Sequence, residues 1–201
     1  LYVYYKNNND HWSYHNTQAS VLDGLLDEEW DVISIQQVSG LSGVDSTYNS
    51  DLDFIINYIN ENKTNSRAKI VWHMTWAYQS DSTHGSFPTY SSDQLTMYNA
   101  ITTTVQSQIL TRDTIEFVIP SGTAIQNLRT SFVGDTLTRD GFHLDMGIGR
   151  YTASLTWFKK ITGLSVNFVT FYPDDMTIDE FEAVKEAVNN AVAHPFTITE
   201  S

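Results

Sequence analysis

The stretch Arg139-Asp140-Gly141-Phe142-His143 sets a carboxylate and an imidazole three residues apart. On a tight turn, Asp140 can hold one ring nitrogen of His143 while the other faces outward as a general base. Those are two of the three groups of a Ser-His-Asp apparatus. The third, a serine on a strand-to-helix turn, has no convincing candidate in the sequence. With 16 aspartates and six histidines in 201 residues, about half an Asp-x-x-His pair arises by chance. A second copy indeed occurs at Asp81-Ser82-Thr83-His84. It lies in the polar stretch 79–92, which contains Pro88 and reads as a substrate-side loop, although His84-Gly85-Ser86 puts a hydroxyl close by.

A metal is the rival use for the histidines. His73 sits inside an apolar run, where a lone hydrogen-bonded core histidine is the commoner outcome. His11 and His15 are four apart behind a run of asparagines, a weak start for a zinc-binding helix. No metal and no cofactor are expected.

The elements that must position this chemistry follow from the apolar pattern. Runs at 31–35, 69–74 and 114–119 are rich in Val and Ile and lack clean alternation, as in parallel strands buried on both faces. Ser50 reads as the cap of a helix with Leu52, Ile55, Ile56 and Ile59 on one side. Ser91 with Gln94 reads as a capping box before Leu95, Tyr98, Val105 and Ile109. Residues 121–132 read as a further helix. Ile148, Tyr151, Leu155 and Phe158 follow at helical spacing, with Gly163 as terminator. Thr177 with Glu180 opens a last helix carrying Phe181, Val184, Val188 and Val192.

Strands alternating with helices predict a three-layer α/β/α fold with a parallel sheet and right-handed crossovers. Three strands are few for such a sheet, and 31–35 would leave an unpaired apolar edge. The chain also begins Leu1-Tyr2-Val3 without Met. The expectation is one domain over residues 1–201, incomplete at its N-terminus, with one or two strands preceding Leu1.

In open α/β sheets ligands bind beyond the carboxyl ends of the strands. Gln36 and Gln37 follow the first strand, Trp76 and Tyr78 the second, and Pro120-Ser121-Gly122 the third. Gln37 can donate its amide to an oxyanion or satisfy backbone at a strand end; Gln36 is the weaker candidate, because alternation sends only one of the two to the mouth. Trp76 and Tyr78, two apart, share a face as a platform for a sugar or acyl group, or as core.

Composition narrows the partners. The chain is 41% hydrophobic and 13% aromatic, which marks a folded domain. A net charge of −13 repels nucleic acid and anionic membrane surfaces. The absence of cysteine excludes disulfides and thiolate zinc sites. No apolar run approaches the ~20 residues of a membrane span, no signal peptide is visible, and nothing reports on oligomeric state.

Residues 30–43, Trp30-Asp31-Val32-Ile33-Ser34-Ile35-Gln36-Gln37-Val38-Ser39-Gly40-Leu41-Ser42-Gly43, resemble a segment of the DUF4886 family, which belongs to the SGNH (GDSL-like) hydrolase superfamily. Residues 73–78, 134–144 and 149–158 resemble its later blocks, so the likeness runs from about Tyr4 to Gly163. The resemblance implies a flavodoxin-like SGNH fold and a serine esterase removing acyl groups, acetyl above all, from a carbohydrate. It matches Asp140 and His143 to the superfamily's Asp-x-x-His block and puts Gln37 near the block that supplies an oxyanion Asn. It also implies a periplasmic or extracellular location. The nucleophile block and the glycine oxyanion block have no counterpart here and are expected upstream of Leu1, so this polypeptide by itself is expected to be inactive. The alternative is a carbohydrate-binding domain that kept the rim without the chemistry; a purely structural fragment is a third reading.

Overall fold

The computed structural model describes residues 2–3 and 18–200; His11 and His15 lie outside them. The fold is α/β with a small parallel sheet. By compactness the chain divides into two units, residues 1–33 with 49–70 and residues 34–48 with 71–201.

In the first unit β1 (Tyr2–Val3) pairs antiparallel with β2 (Gln18–Ala19). Helix α1 (Val21–Asp27) opens on a capping box in which the Ser20 hydroxyl accepts from Asp23 N–H at 3.1 Å and the Asp23 carboxylate accepts from Ser20 N–H at 2.7 Å. Helix α2 (Ser50–Asn62) buries Ile56 and Ile59. Its cap lies one residue before the expected Ser50. Asn49, in extended conformation, accepts from Asp51 N–H at 3.0 Å, and Ser50 is the first helical residue. Lys69 N–H donates to Asp31 O at 2.9 Å where two strands begin.

The sheet has the order β3 (Val32–Ile35), β4 (Lys69–His73), β5 (Val118–Ile119). β4 and β5 are parallel, with Trp72 opposite Val118 and His73 opposite Ile119. In β4 every residue from Ile70 to His73 is buried. β3, at the edge of the described sheet, is only half-buried, with Ser34 exposed. The expected strand at 114–119 contracts to two residues. Ile115 N–H donates to Arg112 O at 3.0 Å, so the residues around it stay in a turn, and the ladder starts only where Phe117 O accepts from Trp72 N–H at 3.0 Å.

Four helices complete the second unit: α3 (Gln94–Gln108), α4 (Ser121–Arg129), α5 (Ile148–Thr162) and α6 (Ile178–Ala193). The box expected at Ser91 does not form. Ser91 closes a 3-10 turn, Phe87–Tyr90, with φ +58°, and Asp93 caps α3 by accepting from Thr96 N–H at 2.7 Å. α4 ends at Arg129 rather than 132, and all nine of its residues are buried. The box at Thr177 and Glu180 and the terminator Gly163, at φ +70°, stand as expected. α4, α5 and α6 pack on one another around Ile125, Leu128, Leu155, Phe181, Val184 and Val188, each large side chain contributing about 1.5–3 kcal/mol. α4 begins so close to the end of β4 that a Cβ on Gly122 would lie 2.1 Å from Thr75 O. Among the described residues no helix is long and apolar enough to cross a membrane.

Candidate active site

The Asp140–His143 turn is closed at its base by an antiparallel bridge between Thr138 and Leu144 and by Arg139 N–H donating to His143 O at 2.9 Å. At its tip Gly141 has φ +87°, a conformation that L side chains resist, and a Cβ there would press on Ser82 at 3.1–3.3 Å. The curl brings Asp140 Oδ1 to the backbone N–H of His143 (2.7 Å) and of Phe142 (3.2 Å), and Oδ2 to His143 Nδ1 (2.7 Å). Desolvation pushes the Asp140 carboxyl upward, but the hydrogen bonds from the His143 ring and from both backbone N–H groups, with the His143 charge, outweigh it and hold the carboxyl at about 2. With Nδ1 held by Asp140 and the side chain 55% exposed, Nε2 is the ring nitrogen left for another partner.

The segment after β4 fixes this turn from behind. Gln79 N–H donates to Gly141 O at 2.8 Å, Thr138 Oγ1 donates to Gln79 Oε1 at 2.5 Å, and Trp76 Nε1 donates to Phe142 O at 2.8 Å. That segment is itself clamped. Asp135 Oδ2 accepts from Ser80 N–H (2.8 Å) and Gln94 Nε2 (2.9 Å), and Gln94 Nε2 also donates to Tyr78 O (3.0 Å). Buried Arg129 donates to Ala77 O at 3.0 Å and sets Nε 2.7 Å from Asp135 Oδ1, an ion pair without hydrogen-bond alignment. The cap at Asp93, and not Ser91, is what leaves the Gln94 amide available for this role.

Beside His143 lies a cavity of about 500 Å³, with His73, Trp76, Arg150, Ser154 and Trp157 among its walls. Of the residues singled out in the sequence, it gathers His143, Trp76 and the core candidate His73. Tyr78 is fully buried; its hydroxyl meets Ser39 Oγ at 3.0 Å and its ring backs Phe142 at 5.9 Å. Gln37 is directed to its own loop, its Nε2 donating to Thr47 Oγ1 at 3.1 Å and its Oε1 accepting from Val38 N–H at 2.8 Å. Gln36 holds His73, Oε1 to Nδ1, at 2.7 Å.

The second Asp-x-x-His copy is not joined. Asp81 accepts from Gln79 Nε2 at 3.0 Å, and His84 Nδ1 accepts from Ser86 N–H at 3.1 Å. His84 nonetheless supports the site, since its ring packs on Phe142 at 4.6 Å. Ser121 does stand on a strand-to-helix turn, but it is wholly buried and so out of reach of a substrate. Among the described residues no group of three or more His, Asp or Glu is placed to hold a metal. Arg150, Ser154 and Trp157 were not singled out. Their signal is the 4-then-3 spacing of a helix face opposite the apolar one.

His73 is bonded as a core histidine should be, but only through Nδ1. Nε2 is buried without a partner among the described residues, and desolvation lowers the ring's pKa to about 4. The native state therefore keeps the ring neutral, while the unfolded chain takes up a proton below about pH 6.5. The associated stability is present above that pH and is lost as pH falls from about 6.5 to 4, roughly 3 kcal/mol in all. Between pH 7 and 5 the wild type is expected to lose about 2 kcal/mol more than His73→Gln in urea denaturation; identical losses would show that His73 does not resist protonation.

The profile of a family described as "Domain of unknown function (DUF4886)" matches residues 1–191. Among solved structures, the chain is similar to the crystal structure of a DUF4886 family protein from Bacteroides uniformis, with 37% sequence identity, a TM-score of 0.90, and coverage of 97% of this chain and 74% of that one. A comparison with curated proteins found no match.

Proposed function

The chain belongs to the DUF4886 family, and we propose that it acts as an SGNH-type serine ester hydrolase on acetylated carbohydrates, with that superfamily's three-layer fold and a periplasmic or extracellular location. The observation that carries the reading is the 2.7 Å contact of Asp140 with His143 Nδ1 on a turn that leaves the imidazole open beside a cavity. His143 Nε2 takes the proton of a serine hydroxyl, contributed from outside the described residues, as it attacks the ester carbonyl. The same nitrogen then protonates the departing alcohol, and water releases the acyl group by the reverse sequence. Asp140 keeps the proton on Nδ1 and stabilises the imidazolium. The oxyanion falls to backbone N–H groups, because the Gln37 amide is engaged with Thr47 and Val38. Trp76 and Trp157 offer ring surfaces to the sugar.

Those two tryptophans also favour the second reading, sugar binding without turnover. The full-length protein should hydrolyse p-nitrophenyl acetate and become labelled by a fluorophosphonate on one serine, which mass spectrometry then locates. Sugar binding without labelling or turnover selects the second reading, and absence of all three rejects both.

A further inference from the structure

The cavity beside His143 differs in charge from the rest of the molecule. The chain has 24 acidic residues against 11 Lys and Arg. Among the described residues lining this cavity there is no Asp or Glu, and Arg150 is the single Lys or Arg. Arg150 is exposed on α5, and no carboxylate of the described residues pairs with it. An unneutralised guanidinium on the wall of a cleft concentrates anions there, even in a molecule that repels them elsewhere.

The buried end of the cavity is different. His73 is buried there, its Nδ1 held by Gln36, and because its ring is neutral above about pH 4 it adds no charge to the wall. Trp157 and Trp76 pack edge-on against the His73 ring at 5.0 and 6.2 Å. The cavity thus offers one cationic position, aromatic walls and a neutral inner end.

We infer that the substrate of this site is an acidic sugar, an esterified ring carrying a carboxylate that is held by Arg150. One guanidinium balances one negative charge, and its planar pair of N–H donors matches the two oxygens of a carboxylate. The assignment of the bond cleaved rests on the ester-hydrolase reading; the assignment of what is bound does not.

The test uses a pair of acetylated methyl glycosides that differ only at C6, a carboxylate in one and a hydroxymethyl in the other. At low ionic strength kcat/KM should favour the carboxylate by at least about tenfold. The ratio should fall with added salt, approach one in Arg150→Gln, and recover partly in Arg150→Lys. Equal rates on the two sugars, or a preference that survives in Arg150→Gln, overturns the inference. If neither ester is cleaved, calorimetric binding of the deacetylated pair decides the question apart from the chemistry: tenfold tighter binding of the carboxylate, lost in Arg150→Gln, upholds it, and equal binding overturns it. Equally tight binding of the 6-sulfate would overturn the choice of carboxylate.

Discussion

Asp140→Asn is expected to lower kcat for ester hydrolysis by about 10⁴ while leaving KM nearly unchanged. Asparagine has the same shape, and its Oδ1 can still accept from the backbone N–H of Phe142 and His143, so the turn survives. What changes is the atom facing His143 Nδ1. An amide NH₂ in place of Oδ2 donates to that nitrogen, drives the ring proton to Nε2, and leaves no lone pair there to take a proton from a serine. Steady-state kinetics on the full-length protein, with thermal melts to show equal folding, check this. A loss of less than tenfold would mean that His143 is not oriented by Asp140. Because the Asp140 carboxyl is held at about 2, it stays ionised above that pH, and an acid limb in the rate profile between pH 4 and 7 belongs to another group. In Asp140→Asn such a limb should concern a residual rate only.

Arg129→Met is expected to cost about 3 kcal/mol of folding stability. The side chain is 3% exposed, and its removal leaves Asp135 with its charge uncompensated and Ala77 O without its donor. The partner is 26% exposed, which places the expected loss at the lower end of the range for buried pairs. Urea denaturation measures it. Arg129→Met combined with Asp135→Leu should recover part of the loss, since two apolar groups leave no lone charge. A single-variant loss under about 1 kcal/mol would show that water enters the pair. The effect should also reach catalysis. Asp135 holds Ser80 N–H and Gln94, and Gln79 holds the carbonyl of Gly141, so loosening the pair loosens the turn that carries the imidazole.

The geometry of the turn was legible in the sequence because it is local. Asp140 and His143 meet within one chain reversal, and Gly141 announces the left-handed tip that lets them meet. The capping box at Thr177 and the stop at Gly163 were legible for the same reason. Contacts between distant segments were not. Gln36 and Gln37 are indistinguishable by type, and only the fold sends one to His73 and the other to Thr47. Ser91 carries a good capping signature that fails because the preceding 3-10 turn forces it left-handed and Asp93 competes successfully for the helix start. The cavity wall from α5 was hidden by the apolar pattern of that helix, which reports the core face and is silent on Arg150 and Trp157 opposite.

His143 and Asp140 are three residues apart, whereas the cavity walls come from segments far separated in the chain. In the language of contact order, the Asp140–His143 pair forms without long-range loop closure and the cavity does not. Exchanges at Arg150, Ser154 or Trp157 can therefore retune which molecule is accepted without rebuilding the reactive pair. A library varied at those three α5 positions should yield altered preferences far more often than dead proteins.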